Sequence, residues 1–133
     1  MWAPFTLRSM HADSRVRAFR GAIQIDQDEA SQVESATVEL VSAMLERNSL
    51  ATEDLVSIIF TCTPDLHSAF PAAAARTLGL GQVPLICAQE LEIQAALPRV
   101  IRVMMHAYSQ AALGDIQHVY LRGATTLRQD LAQ

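Results

Sequence analysis

Two charged residues set in apolar runs constrain this chain more than any other feature. Residues 82–105 read QVPLICAQELEIQAALPRVIRVMM. The apolar runs at 83–87 and 100–105 have the length of buried strands. Yet Glu90 follows the first by three residues, and Arg102 interrupts the second. An ionised group in such a run is costly unless something pairs with it. Two arrangements meet that demand. Either the two side chains pair with each other, or both face a cavity that receives a charged ligand, and the residues alone leave both open.

Around that stretch the hydrophobic period switches between strand and helix. Residues 15–25 alternate, with Phe19, Ile23 and Ile25 on one face and Val16, Ala18, Arg20 and Ala22 on the other. Gly21 is expected to leave room beside the Arg20 guanidinium, although Arg20 alone also reads as a strand-end residue reaching solvent. Asp26 and Glu29 form a helix start signal. From there to Arg47, Val33, Thr37, Leu40, Val41, Met44 and Leu45 make one stripe. Glu34, Glu39 and Glu46 fall on a solvated face, and Asn48 is a candidate left-handed cap. Residues 55–62 form a second strand, and a loop with Pro64 and Pro71 leads to a short helix over 72–78. Pro84 sets the third strand, 83–87, near an edge or bulge. The fourth, 99–107, is apolar on both faces apart from Arg102 and His106, hence central. The fifth spans 117–121.

The order β-α-β-α-β-β-β predicts a single α+β domain over 15–121, a mixed five-stranded sheet with its main helix on one face. Its 133 residues suffice for one domain burying roughly two-thirds of the unfolded surface. Residues 1–14 are expected to form a loosely ordered leader, and 122–133 a polar C-terminal tail.

Composition narrows the chemistry. A net charge of −4 lacks the footprint of a nucleic-acid binder. All ten basic residues are arginine, each a planar fork suited to carboxylates. Cys62 and Cys87 sit in apolar runs, which fits a reducing compartment. No segment has the length of a signal peptide or membrane span, so a soluble cytoplasmic protein is expected. His11, His67, His106 and His118 are scattered without metal-ligand spacing. Cys87 as a nucleophile would need a base, and no histidine lies near it in sequence, though the fold could bring one. The lone glycines are turn formers, with no phosphate loop or dinucleotide fingerprint. What remains is Arg20, Arg76, Arg102 and Arg128 with Glu90, Tyr120 and Cys87, a set that reads as an anion pocket.

Several motifs then speak together. TPDLHSAFPA, VPLICAQE, IRVMM and QHVYLRGATTLRQDL occur in that order. Together they resemble the monofunctional chorismate mutases of the trimeric α/β class, unrelated to the all-helical chorismate mutases. The resemblance runs from about Val16 to Leu131. It implies a pseudo α/β-barrel homotrimer that rearranges chorismate to prephenate in Phe and Tyr biosynthesis, without cofactor or metal, at sites between subunits. Neither nucleic acid nor membrane is an implied partner. By resemblance, Arg20 and Tyr120 hold substrate carboxylates, Cys87 and Glu90 face the hydroxyl and ring, and Arg102 meets the ether oxygen. Phe70 and Arg76 come from the neighbouring subunit and Arg128 from the tail, and Ala72, Ala73 and Leu127 are further substrate-binding positions, Ala73 on the rim. The sequence departs from the family pattern in three places. R-G-A-I-Q replaces R-G-A-T-T, R-Q-D-L replaces R-P-D-L, and Ala73 stands where F-P-A-K has lysine. The competing class is a trimeric small-anion-binding or imine-deaminase-like protein of similar fold. The combination of Arg20, Cys87, Glu90, Arg102 and Tyr120 argues against it.

Overall fold

A computed structural model describes residues 13–128, with only the backbone of Arg128. Five strands, β1 (Arg15–Gln24), β2 (Leu55–Cys62), β3 (Leu85–Gln89), β4 (Val100–Ser109) and β5 (Val119–Leu121), form one sheet in the order β3-β2-β4-β1-β5. The sheet is mixed. β4 pairs antiparallel with both β1 and β2, while β3 and β5 add parallel edges to β2 and β1. The strand carrying Arg102 is therefore central, as its composition predicts. β3 is an edge strand and starts just past Pro84, whose carbonyl accepts the Ile58 N–H at 3.0 Å. Proline there costs no ladder bond.

Helix α1 (Ala30–Arg47) lies on one face of the sheet. Val33, Ala36, Thr37, Leu40, Val41 and Met44 are buried, at helical spacing. The Thr37 hydroxyl returns a 2.7 Å bond to the Val33 carbonyl, which satisfies the polar member of the stripe. Against them pack Phe19, Ile23, Ile58, Phe60, Ile101, Val103 and Met105, alternate residues of three strands. Gly21 belongs to this face too. A Cβ there would meet the Met44 sulfur and come within 3.1 Å of Leu40. Its smallness serves the helix, so the expectation that it makes room for Arg20 is corrected.

Both helix-end expectations change. Glu29 holds the cap position without a side-chain capping bond to the backbone, and the helix starts at Ala30. Gln32 does the work instead. Its Oε1 accepts the Asp26 and Gln27 N–H groups, each at 3.1 Å, while its Nε2 donates to Glu29. Asn48 has φ −107°, and the left-handed residue is Ser49. The Asn48 amide stitches chain segments together. It donates to the Met44 and Gln117 carbonyls at 2.9 Å and accepts the Gln117 N–H at 2.8 Å. Among the acidic residues of the solvated face, Glu39 has a partner. It accepts from Arg122 at 2.7 Å.

Arg122 opens a 3-10 helix, Arg122–Arg128, with φ 54°. Ala124 is buried against Ala22 and Val100, with Tyr120 and Leu127 packed beside them. The start of the predicted tail is thus folded onto the sheet. Leader residues 1–12, the tail beyond Arg128 and the Arg128 side chain lie outside the described residues. Among the described residues, no helix is long and apolar enough to cross a membrane.

Candidate active site

The sheet face away from α1 carries the misplaced charges. Register aligns Tyr120 of β5 with Ala22 of β1, Ala22 with Arg102 of β4, and Arg102 with Thr61 of β2. Residues opposite one another point to the same face, so Tyr120, Arg102 and Thr61 stand in one row. Ala22, between the first two, is buried under Ala124. Arg20 lies two residues along β1, in the neighbouring row with Met104 and Ile59. Arg20, Tyr120, Arg102 and Thr61 line a hollow of about 210 Å³.

Glu90 enters from the end of β3. Its N–H bonds the Cys62 carbonyl at 2.9 Å, folding the chain back over the sheet. Its Oε2 lies 3.2 Å from Arg102 Nε and accepts the Thr61 hydroxyl at 2.7 Å. Of the two arrangements open from the sequence, the mutual pairing is therefore present. The two charges pair, and Arg102 also lines the hollow. The pair is not deeply buried, since Arg102 is 47% exposed and Glu90 18%. Two guanidinium groups and one carboxylate leave the hollow with surplus positive charge, which suits an anion.

A second group of residues lies elsewhere. Helix α2 (Pro71–Ala75) continues as a 3-10 turn, Arg76–Leu78. Phe70, Ala73 and Arg76, three apart, are exposed along one side, while Ala72 is buried beneath. Phe70 is 72% exposed, too much for a core residue of its size. The loop before it is pinned: Asp28 accepts the His67 and Ser68 N–H groups and lies 3.1 Å from His67 Nδ1. Asp65 likewise accepts the Arg99 N–H. Phe70 borders a hollow of about 440 Å³ shared with Cys62 and Cys87. Both thiols are free, and burial pushes Cys62 up to about 12. No trio of His, Cys, Asp or Glu among the described residues could hold a metal.

A family model described as chorismate mutase type I matches residues 16–131. The chain belongs to that family. Chorismate mutase AroH of Thermus thermophilus is 46% identical over 117 residues, covering 87% of this chain and 96% of its own. That of Bacillus subtilis is 37% identical over 118 residues, covering 88% and 93%. A solved chorismate mutase from Clostridium thermocellum superposes with a TM-score of 0.81 at 42% identity, covering 83% of this chain and 98% of that one. The family match sets aside the imine-deaminase-like alternative.

Within the type I fold, the residues singled out by resemblance divide. Arg20, Glu90, Arg102 and Tyr120 are brought together, with Leu127 packed beside Tyr120's cluster. Cys87 pairs in register with Phe60, on the α1 side of the sheet, while Glu90 bonds Thr61 on the other side. Cys87 accompanies Phe70 instead. Arg76 and Ala73 lie on the exposed side of α2, with Ala72 packed under it. Two contributors escaped the sequence reading. Thr61 holds Glu90, and His118 Nδ1 accepts the Arg20 N–H at 3.0 Å. Each depends on register between strands distant in sequence, which alternation within a strand does not disclose.

Proposed function

We infer that the chain rearranges chorismate to prephenate, an intramolecular Claisen shift that feeds aromatic amino-acid synthesis. The observation that carries this is the Arg102–Glu90 pair, at a hollow shared with Arg20 and Tyr120, in a chain of this family. The reaction moves no proton and forms no covalent intermediate. Its substrate is a dianion that must be held in a compact conformer. Arg20 and Tyr120, with Arg128 from the tail, fix carboxylates and supply an entropic contribution. As the C–O bond breaks, negative charge grows on the ether oxygen and positive charge on the ring. Arg102 stabilises the first in the manner of an oxyanion hole, and ionised Glu90 the second. Glu90 meets Arg102 through Nε, so the terminal nitrogens of the guanidinium are left for the substrate.

The working enzyme is a homotrimer with shared sites. The division of residues supports this: the Phe70–Arg76 side of α2 and the Cys87 hollow form one half-site, and the Arg20–Arg102–Tyr120 row the other. A heterologous ring joins unlike patches of successive subunits, so the first half of one subunit meets the second half of the next. The free thiols fit a reducing compartment, and the reading takes the cytoplasm as its location. Purified chain should consume chorismate, followed by loss of its absorbance, and yield prephenate. A folded, oligomeric preparation with no turnover would overturn the assignment.

A further inference from the structure

Thr61 lies on the helix-free side of the sheet, beside Arg102 in register. Its hydroxyl donates to Glu90 Oε2 at 2.7 Å, the oxygen that also faces Arg102 Nε at 3.2 Å. A β-branched side chain in a strand has few χ1 choices, so this hydroxyl is a fixed donor. One hydrogen bond and one ionic contact on the same carboxylate oxygen set the orientation of the group. Oε2 is turned toward the sheet, and Oε1 is the oxygen available to a ligand.

The alternative geometry is easy to name. A carboxylate beside a guanidinium prefers a two-pronged contact, with both oxygens on two nitrogens. Such a contact would occupy Oε1 and draw one of Arg102's terminal nitrogens away from the hollow. The Thr61 hydroxyl holds Oε2 off to one side and keeps the contact single. We propose that Thr61 is a positioning residue that holds Glu90 in a one-oxygen contact with Arg102, leaving Oε1 and the arginine's terminal nitrogens to the substrate. This rests on the catalytic reading of Glu90 and Arg102 and adds to it the group that keeps the pair from closing on itself.

The test measures kcat, KM and melting temperature for T61V, T61A, T61S, E90Q and T61V/E90Q. Valine matches the shape without the donor, alanine removes donor and methyl together, and serine keeps the hydroxyl. T61V and T61A should lower kcat about tenfold or more, the scale of a hydrogen bond to a charged group. KM should change less, because the arginine and tyrosine that hold carboxylates are untouched. T61S should restore most of the loss, and T61V/E90Q should be no slower than E90Q, since Thr61 acts through the carboxylate. Wild-type kcat in T61V and T61A would overturn the proposal while E90Q's loss leaves the catalytic reading standing. A further drop in T61V/E90Q equal to that in T61V would show Thr61 acting independently, and also overturn it. Wild-type turnover in E90Q would instead defeat the reading of Glu90 itself, and this proposal with it.

Discussion

Arg102 is held by Glu90 on one side and open to the hollow on the other, and its half exposure decides how its loss should appear. Breaking a fully buried pair costs about 3–5 kcal/mol of stability. A pair as accessible as this one contributes only about 0–1 kcal/mol. Arg102→Ala should therefore shift the melting temperature little but lower kcat by about 10²–10³-fold, the scale of a missing oxyanion donor. Arg102→Lys should recover little, because one ammonium cannot replace the fork. Glu90→Gln keeps the shape and should lose activity comparably, by about 2.7–4 kcal/mol. Ala73 is exposed on the Phe70–Arg76 side of α2. Ala73→Lys should lower KM about fivefold with kcat unchanged, since one exposed charge near an anion is worth ~1 kcal/mol.

Among the elements, β1 has two jobs on its two faces. Arg20 lines the hollow, while Phe19, Gly21 and Ile23 belong to the core under α1. Gly21→Ala should push Met44 and Leu40 aside and cost about 1–3 kcal/mol by overpacking, read as a lower melting temperature. The loop before α2 offers a pH-dependent test. Hydrogen bonds from the Ser68 hydroxyl and from the His67 and Ser68 N–H groups, outweighing partial desolvation, hold the Asp28 carboxyl below its usual 3.8. A lowered carboxyl contributes stability above its unfolded pKa of about 3.9 and loses it as pH falls through the folded value. The His67 and Ser68 amides should be protected from hydrogen exchange near neutrality and lose that protection below about pH 4, after correction for intrinsic rates. Asp28→Ala should expose them at every pH.

At the scale of the whole molecule, the proposed sharing of sites between subunits can be checked by a mixing test. Arg102→Ala and Arg76→Ala damage opposite halves. Unfolded together in equal amounts and refolded, they should give trimers in which about a quarter of the sites draw an intact half from each variant, if assembly into the ring is random. Activity should reappear in the mixture although each variant alone is nearly inactive. No recovery, or an active monomer by sedimentation, would end the trimeric reading. The uncovered sheet face is consistent with assembly, for Ile86 and Val16 remain exposed there beside partly buried Ile59 and Met104.

The sequence by itself determined the sheet's central strand, its helix, its edge at β3 and the residues that carry charge into apolar runs. It could do so because alternation, helical stripes and punctuating prolines are local, read within a few residues of one another. It also carried the family, through four motifs in order. What tertiary structure decided was who stands beside whom. Glu90 and Arg102 are twelve positions apart, and only the fold-back after β3 brings them within 3.2 Å. Thr61 reaches the same carboxylate because β2 pairs with β4 in one register, and a slip of one residue would have turned its hydroxyl to the other face. Cys87 went the other way for the same reason. Three residues before Glu90 in sequence, it pairs with Phe60 and so faces the helix side. Local pattern states which residues are unusual, and the pairing of distant strands states which of them meet.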